Sequence, residues 1–244
     1  MKIIGIIPSR FGSTRFPGKP LININGKSMI ERVYEQAKKA KSLAEVIVAT
    51  DDERIFKHVK SFGGKVIMTS STHESGTERC AEVIYKMSEP YDVVINIQGD
   101  EPFIDPEQIN QLCACFEDAK TDIATLVKKI ATKEELHNPN RPKVVIDVNN
   151  FAKMFSRNVI PLLENVAKEN WLKKHTFYQH IGIYGYRTAV LKKISQLPLS
   201  PLEKKEKLEQ LRWLENGYSI KVAITTHEGI AIDTPADLEK IVFK

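Results

Sequence analysis

A loop rich in basic and hydroxyl side chains follows the first apolar run of the chain, Ile3–Ile7. Its candidate ligand-binding side chains are Arg10, Ser13, Arg15 and Lys19. Gly12 and Gly18 allow the main chain to approach a ligand closely, because glycine has no Cβ. Cationic groups, hydroxyls and main-chain N–H groups together suit a phosphate-bearing anion. Residues 1–30 contain five basic residues and no acidic one, so this stretch is a local cationic patch suited to a small polyanion.

The spacing of this loop argues against two familiar phosphate motifs. Five residues separate Gly12 from Gly18, and Pro20 stands where a P-loop has the Ser or Thr that holds magnesium. The loop also lacks the G-x-G-x-x-G pattern of dinucleotide-binding proteins. A P-loop ATPase or kinase is therefore disfavoured. Taken alone, a plain surface turn explains such a loop about as well as a phosphate site does.

Two aspartates are candidates for holding magnesium near this loop. Asp100 comes just after the apolar run Val93–Gln98, and Asp233 lies between a short apolar run and Thr234. Magnesium is commonly bound by one or two carboxylates together with phosphate oxygens of the substrate. The alternative for Asp233 is a helix N-cap or the turn residue before it, and spacing alone favours that alternative.

Apolar runs alternate with amphipathic helices through the first 140 residues. The predicted strands are Ile3–Pro8, Val46–Thr50, Val66–Thr69, Val93–Gln98 and Ile123–Ile130. Their nearly continuous Ile and Val content is typical of parallel strands that helices cover on both faces. A helix from Ser28 to about Lys41 carries one apolar stripe and a capping box of Ser28 with Glu31. The order of strands and helices predicts an α/β fold with a doubly wound, mostly parallel sheet.

The pattern changes after residue 140. Val144–Val148 and Phe151–Phe155 predict an antiparallel hairpin, and Gly182–Tyr186 predicts a third strand near it. The strand Ile220–Thr225 and a helix beginning at Thr234 return to the α/β pattern. We therefore expect one α/β domain over 1–244 that carries an inserted β-rich lobe at about 141–217.

Composition is that of an ordinary globular protein. Of 244 residues, 42% are hydrophobic and 27% are charged, and the net charge is +5. No apolar run approaches the roughly 20 residues that a membrane span needs, so we expect a cytoplasmic protein with no membrane partner. Cys80, Cys113 and Cys115 form no disulfide framework and are expected to be buried small side chains. Long basic stripes and aromatic interleaving are missing, which disfavours nucleic-acid binding.

Whole motifs carry more information than these single features. The string from Pro8 to Leu21 resembles the opening signature of the 3-deoxy-manno-octulosonate (Kdo) cytidylyltransferases, and N-acylneuraminate cytidylyltransferases begin in a similar way. Asn96–Pro102 and Asp233–Leu238 resemble two further motifs of that family. The resemblance implies that Arg10 and Lys19 bind the triphosphate of CTP. It also implies that Asp100 and Asp233 bind Mg²⁺.

The same resemblance implies a nucleotide segment and a sugar pocket. The nucleotide-binding positions it implies are Ser75, Gly76, Thr77 and Arg79. The sugar-binding positions it implies are Gln98, Arg157, His180, Tyr184, Glu209 and Gln210. An arginine at 157 could bind the sugar carboxylate in a bidentate manner. From the residues alone, Thr77 indicates a simple helix cap, His180 a core histidine and Tyr184 a residue that packs within a strand.

The resemblance runs from about residue 2 to residue 241 and implies transfer of CMP from CTP to Kdo, for lipopolysaccharide biosynthesis, by a homodimer assembled through the inserted lobe. His227-Glu228-Gly229 departs from the glycine-bearing family segment expected before Asp233. A sialic acid or an 8-amino analogue of Kdo is an alternative acceptor, although Asp100-Glu101 and Glu209-Gln210 favour Kdo itself. An alternative of another class is a non-catalytic nucleic-acid-binding module, which the basic N-terminal region alone suggests. The sequence identifies no general base.

Overall fold

The computed structural model describes residues 1–12, 16–227, 229, 232, 234–235 and 237–238. The strands are β1 Ile3–Ser9, β2 Asn23–Ile24, β3 Lys27–Ser28, β4 Glu45–Thr50, β5 Val66–Met68, β6 Val93–Asn96, β7 Ile123–Lys129, β8 Lys143–Ile146, β9 Ala152–Ser156, β10 Tyr178–Arg187 and β11 Ile220–Thr225. The α-helices are α1 Met29–Lys38, α2 Glu53–Ser61, α3 Gly76–Lys86, α4 Pro106–Ala114, α5 Lys133–His137, α6 Trp171–Lys174, α7 Thr188–Ile194, α8 Pro201–Glu206 and α9 Gln210–Glu215. None of these helices combines the length and the apolar character that a membrane span requires.

The central sheet has the strand order β11-β7-β10-β6-β1-β4-β5. Strand β1 is parallel to β4 and β6, β4 is parallel to β5, and β11 is parallel to β7. Strand β10 is antiparallel to both β6 and β7, so β6 and β7 run in the same direction. The predicted α/β fold with a mostly parallel sheet is confirmed, and its switch of direction lies at β10.

Both faces of β1 are buried. Ile3 and Ile7 belong to one apolar cluster, which also contains the buried stripe of α1. Ile4 and Ile6 belong to a second cluster, which contains the buried residues of α3. Since neighbouring side chains of a strand point to opposite faces, this division explains why the run is apolar at every position.

The strand predicted at Gly182–Tyr186 is longer and lies elsewhere in the fold. It extends over Tyr178–Arg187 as β10 and sits between β6 and β7, whereas the sequence pattern grouped it with the lobe. Its first residues pair with β8 instead of β6, so the predicted hairpin of β8 and β9 extends from the N-terminal end of β10. The bounds 141–217 for the lobe as one unit stay a prediction.

A glycine allows β10 to lie within the central sheet. A Cβ at Gly185 would be 2.6 Å from the ring of Phe116 and 2.9 Å from Ile95. By contrast, a Cβ at Gly182 on the same strand would meet only Gln98, at an ordinary 3.8 Å. The backbone of β10 therefore lies directly against the side chains of β6 and of the turn after α4.

Gly185→Ala should lower the free energy of unfolding by about 1–3 kcal/mol, because the added methyl group overpacks a closed contact. Gly182→Ala is the matched control on the same strand and should change stability much less. Urea denaturation of both variants measures the difference. Equal stability of the two variants would contradict the close packing of β10 at Gly185.

Candidate active site

A cleft of about 240 Å³ opens at the carboxyl ends of β1 and β6. It is lined by Pro8, Ser9, Arg10, Lys19, Pro20, His73, Glu74, Ser75, Gly76, Arg79, Gln98, Gly99 and Asp100. The carboxyl ends of parallel strands share one edge of the sheet, where open α/β folds bind ligands. The cleft therefore brings together the basic loop, the first carboxylate and the start of α3, three features predicted from separate parts of the sequence.

The basic loop is closed at its base by one glycine. Gly18 donates its N–H to the carbonyl of Phe11 over 3.0 Å and has φ of 71°. A Cβ at this position would lie 3.1 Å from the Phe11 ring. The chain then enters a short 3₁₀ turn in which Pro20 is buried, so the backbone of Lys19 is anchored beside the cleft. Arg10 lines the cleft with an exposed side chain. Ser13 and Arg15 lie outside the described residues, and their roles stay predictions.

Lys19 and Asp100 form an ion pair across the cleft. The Lys19 ammonium lies 2.7 Å from Oδ2 of Asp100, and the two side chains are 14% and 30% exposed. The carboxylate thus faces the cleft, where it binds the ammonium group of Lys19. The sequence predicts that Asp100 lies near the basic loop because it follows a buried strand. The structure confirms this position and shows that Asp100 pairs with Lys19 of that loop.

Asp233 lies outside the described residues, but its surroundings are partly described. The N–H of Ile232 donates to the carbonyl of Asp100 over 3.0 Å. Thr234 and Asp237 form the reciprocal bonds of a capping box: each main-chain N–H donates to the side chain of the other residue. The helix start is therefore capped by Thr234, the residue after Asp233.

The start of α3 lines the same cleft as Lys19. Ser75 is the N-cap, and its Oγ accepts from the N–H of Glu78 over 3.2 Å. A Cβ at Gly76 would lie 3.3 Å from the Asn96 amide, so the helix start is pressed against the end of β6. The cap is Ser75 rather than Thr77, which instead donates from Oγ1 to Oε2 of Glu209 over 2.9 Å.

Next to the start of α3 lies a cluster of buried polar and aromatic side chains around Tyr184. The ring of Tyr184 is T-shaped against Trp213, with 5.0 Å between centroids, and lies 5.1 Å from the His180 ring. Within the described part of the chain, the buried hydroxyl of Tyr184 and the Nε2 of Gln210 have no hydrogen-bond partner. Burial raises the pKa of Glu209, and the hydrogen bond from Thr77 opposes that shift. Buried polar groups are almost always paired, so this arrangement is suited to a polar ligand.

The chain matches one family of nucleotide-transferring enzymes over nearly its whole length. The family model described as cytidylyltransferase matches residues 4–223. The chain belongs to the cytidylyltransferase family. The 3-deoxy-manno-octulosonate cytidylyltransferase of Parabacteroides distasonis is 60% identical to it, over 98% of this chain and 96% of the relative. The enzyme of the same name from Bacteroides thetaiotaomicron is 59% identical, with the same coverage.

A solved structure of a cytidylyltransferase relative carries the same fold. The structure of CMP:2-keto-3-deoxy-manno-octonic acid synthetase complexed with CTP is 43% identical to this chain. It superposes with a TM-score of 0.92 over 100% of this chain and 98% of the other. The resemblance to the Kdo cytidylyltransferases that the motifs indicated is therefore confirmed.

Two predicted contact residues of this cytidylyltransferase are engaged in holding its loops. Arg79 is buried and donates to Thr69 over 2.5 Å and to Asp51 over 3.0 Å, so it joins the loops after β4 and β5 while lining the cleft. Arg157 donates to the carbonyls of Glu206, Pro139 and Lys207, over 2.8, 3.1 and 3.3 Å. Neither arrangement tests binding, so both ligand roles stay predictions.

His180 and Gln98 occupy different surroundings. The Nε2 of His180 lies 3.0 Å from Oγ1 of Thr125, and burial lowers the pKa of this histidine to about 3. Its imidazole is therefore neutral at physiological pH, as the core-histidine alternative requires. Gln98 lines the cleft itself, close to Gly182 of β10. Its sugar-binding role stays a prediction.

Sequence reasoning missed His73, which lines the cleft. Its Nε2 contacts a carboxylate oxygen of Glu82, and its Nδ1 lies 3.7 Å from Glu78. Burial raises the pKa of Glu82, but hydrogen bonds from Lys86, Ser70 and His73 outweigh it and lower that pKa to about 2. The sequence feature that could have indicated this contact is the spacing of Glu78 and Glu82, which places both carboxylates on one face of α3.

Tyr184→Phe should leave the ligand-free protein as stable as before or more stable by about 1 kcal/mol, because it removes a buried hydroxyl without a partner. Tyr186→Phe is the matched control, since the Tyr186 hydroxyl lies 3.4 Å from Oγ1 of Thr77 and its loss should be destabilising. Thermal unfolding of both variants gives the comparison. A lower melting temperature for Tyr184→Phe than for Tyr186→Phe would contradict the unpaired state of the Tyr184 hydroxyl.

Proposed function

We propose that this chain transfers CMP from CTP to Kdo, giving CMP-Kdo and pyrophosphate. The observation that carries the proposal is the whole-length match to a synthetase complexed with CTP, together with a cleft lined by Arg10, Lys19 and Asp100. Relatives at up to 60% identity bear the name of this activity. The product would serve lipopolysaccharide biosynthesis, in the cytoplasm.

The cleft suits a nucleoside triphosphate. Arg10 and Lys19 supply two cationic groups to its lining. The N-terminus of α3 also lines the cleft, and its main-chain N–H groups and helix dipole favour an anion. A triphosphate in the cleft would be neutralised by both features.

The residues present fit a magnesium ion. The Asp100 carboxylate faces the cleft and already binds the Lys19 ammonium, and the N–H of Ile232 ties the segment before Asp233 to the Asp100 backbone. One or two carboxylates with phosphate oxygens form a common magnesium site. We expect Asp100 and Asp233 to hold the ion, which when bound would neutralise charge on the triphosphate.

The proposed reaction is a direct displacement at the α-phosphorus of CTP. The anomeric hydroxyl oxygen of the sugar forms the new P–O bond, the bond between the α-phosphorus and the bridging oxygen breaks, and pyrophosphate leaves. The hydroxyl proton passes to solvent. Positioned cations stabilise the charge that develops in such a transfer, and Arg10 and Lys19 are the side chains of this chain that would do so.

The buried polar cluster around Tyr184 suits the sugar. The Tyr184 hydroxyl and the Gln210 amide have no hydrogen-bond partner among the described residues, and Thr77 links Glu209, the residue before Gln210, to the start of α3. A hydroxyl-rich sugar would supply the missing hydrogen bonds. Gln98 and Arg157 are expected to complete the pocket, with Arg157 using donors beyond those that hold the neighbouring carbonyls.

The lobe at about 141–217 is the expected contact between two subunits of a homodimer. Two of its apolar side chains, Val148 and Leu162, are 97% and 75% exposed. Burial of such side chains between two subunits would favour association.

Pyrophosphate release tests the proposed function most directly. The assay combines the purified chain with CTP, Mg²⁺ and one sugar at a time: Kdo, its 8-amino analogue and N-acetylneuraminate. We expect the highest kcat/KM with Kdo. Faster turnover of either other sugar would assign a different acceptor, and no release with any sugar would refute the transfer activity.

Asp100→Asn and Asp233→Asn should each abolish activity and raise the magnesium requirement, and the double variant should be little worse than either single one. Residues that act as a unit give non-additive losses. The initial rate against Mg²⁺ concentration at saturating CTP and Kdo measures this. Thr234 caps the helix start, so Asp233→Asn should keep normal stability. Unchanged magnesium dependence in Asp233→Asn would remove this residue from the metal site.

A further inference from the structure

The ammonium of Lys19 and a divalent cation compete for one carboxylate. The ammonium lies 2.7 Å from Oδ2 of Asp100. Magnesium binds a carboxylate oxygen at a shorter distance than this. A cation on the same oxygen of Asp100 would stand about 4 Å from the ammonium, where like charges repel each other strongly in a partly buried site.

We propose that Lys19 closes the metal site until the triphosphate of CTP draws its ammonium away from Asp100. This inference rests on the proposed function and adds an order of events to it. The divalent cation binds weakly to the protein alone and tightly once the nucleotide has bound.

The surroundings of Lys19 suit such an exchange. Its backbone is fixed by the turn that Gly18 begins and that buried Pro20 anchors, so the exchange needs movement of the side chain only. The flexible four-carbon stem of lysine carries its charge as a point and can rotate between two anions. Asp100 and the start of α3 line the same cleft, so an anion held there lies within the space that Lys19 already faces.

The exchange has a physical consequence for the resting enzyme. A carboxylate exposed in an anion-binding cleft would repel the triphosphate, and the ion pair masks that charge. When the triphosphate arrives, the ammonium changes partner and the carboxylate becomes available to the metal. One lysine thereby lets an acidic metal ligand and a polyanionic substrate share a small cleft.

Binding of Mn²⁺ alone to the nucleotide-free protein tests the proposal, with electron paramagnetic resonance as the readout. Lys19→Met should tighten Mn²⁺ binding by roughly fivefold or more, the usual size of coupling between two sites. Arg10→Met removes the same charge from the same cleft without a contact to Asp100, and should tighten it less. Asp100→Asn added to Lys19→Met should cancel the gain.

Three results of this titration would overturn the proposal. They are unchanged Mn²⁺ affinity in Lys19→Met, an equal gain in Arg10→Met, and a gain that survives Asp100→Asn. Circular dichroism checks the fold of each variant, and Lys19→Gln replaces Lys19→Met if the latter does not fold. Because the titration needs neither sugar nor turnover, its outcome is independent of the pyrophosphate assay, which alone decides the transfer activity.

A reciprocal measurement uses CTP without metal. In the presence of EDTA, calorimetry should show tighter CTP binding for Asp100→Asn than for wild type, because the ammonium no longer has to leave the carboxylate of Asp100. Glu74→Gln, which removes another negative charge from the lining of the cleft, is the matched control. If Asp100→Asn bound CTP no tighter than Glu74→Gln, the ion pair would not restrain Lys19 and the proposal would fail.

Discussion

The close approach of two strand ends determines the geometry of the site. A Cβ at Gly99 would lie 2.8 Å from the carbonyl of Pro8, and the N–H of Ile97 donates to Ile6 over 2.9 Å. The end of β1 and the segment after β6 therefore lie in contact, with no room for a side chain at position 99. Lys19, from the loop after β1, lies within 2.7 Å of Asp100, the residue after Gly99. A bulkier residue at 99 would push the two segments apart.

The start of α3 contacts both the cleft and the buried polar cluster around Tyr184. Its first residues, Ser75 and Gly76, line the cleft, whereas Thr77 turns to Glu209. Gly76 presses the helix against Asn96 at the end of β6, and Asn96 pairs with Tyr184 of β10. One short stretch of chain thus links the two regions that are proposed to hold CTP and the sugar, and a transfer between two bound substrates requires such fixed positions.

Local patterns predicted more of this molecule than long-range pairing did. Periodicity predicted the strands of the first half, and capping residues predicted the start of α1. Lys19 and Asp100 were predicted to lie at one edge of the sheet, because each follows the carboxyl end of a parallel strand. The position of β10 could not be predicted, because an apolar strand has the same pattern in a lobe and in the centre of a sheet. The partners of Arg157 were equally hidden, since they are backbone carbonyls that no residue type marks. His73 was missed because its carboxylate partners lie on the following helix.

The buried polar cluster around Tyr184 contains two polar groups that have no hydrogen-bond partner among the described residues. The hydroxyl of Tyr184 and the amide of Gln210 are buried, and each such group is destabilising when it lacks a hydrogen bond. The rings of Trp213 and His180 hold Tyr184 in one orientation, and the low pKa of His180 keeps that contact uncharged. A ligand that reached this cluster would meet groups that are already desolvated and fixed, so less ordering would accompany binding. Under the proposed function, the hydroxyl groups of the sugar would supply the hydrogen bonds that Tyr184 and Gln210 lack.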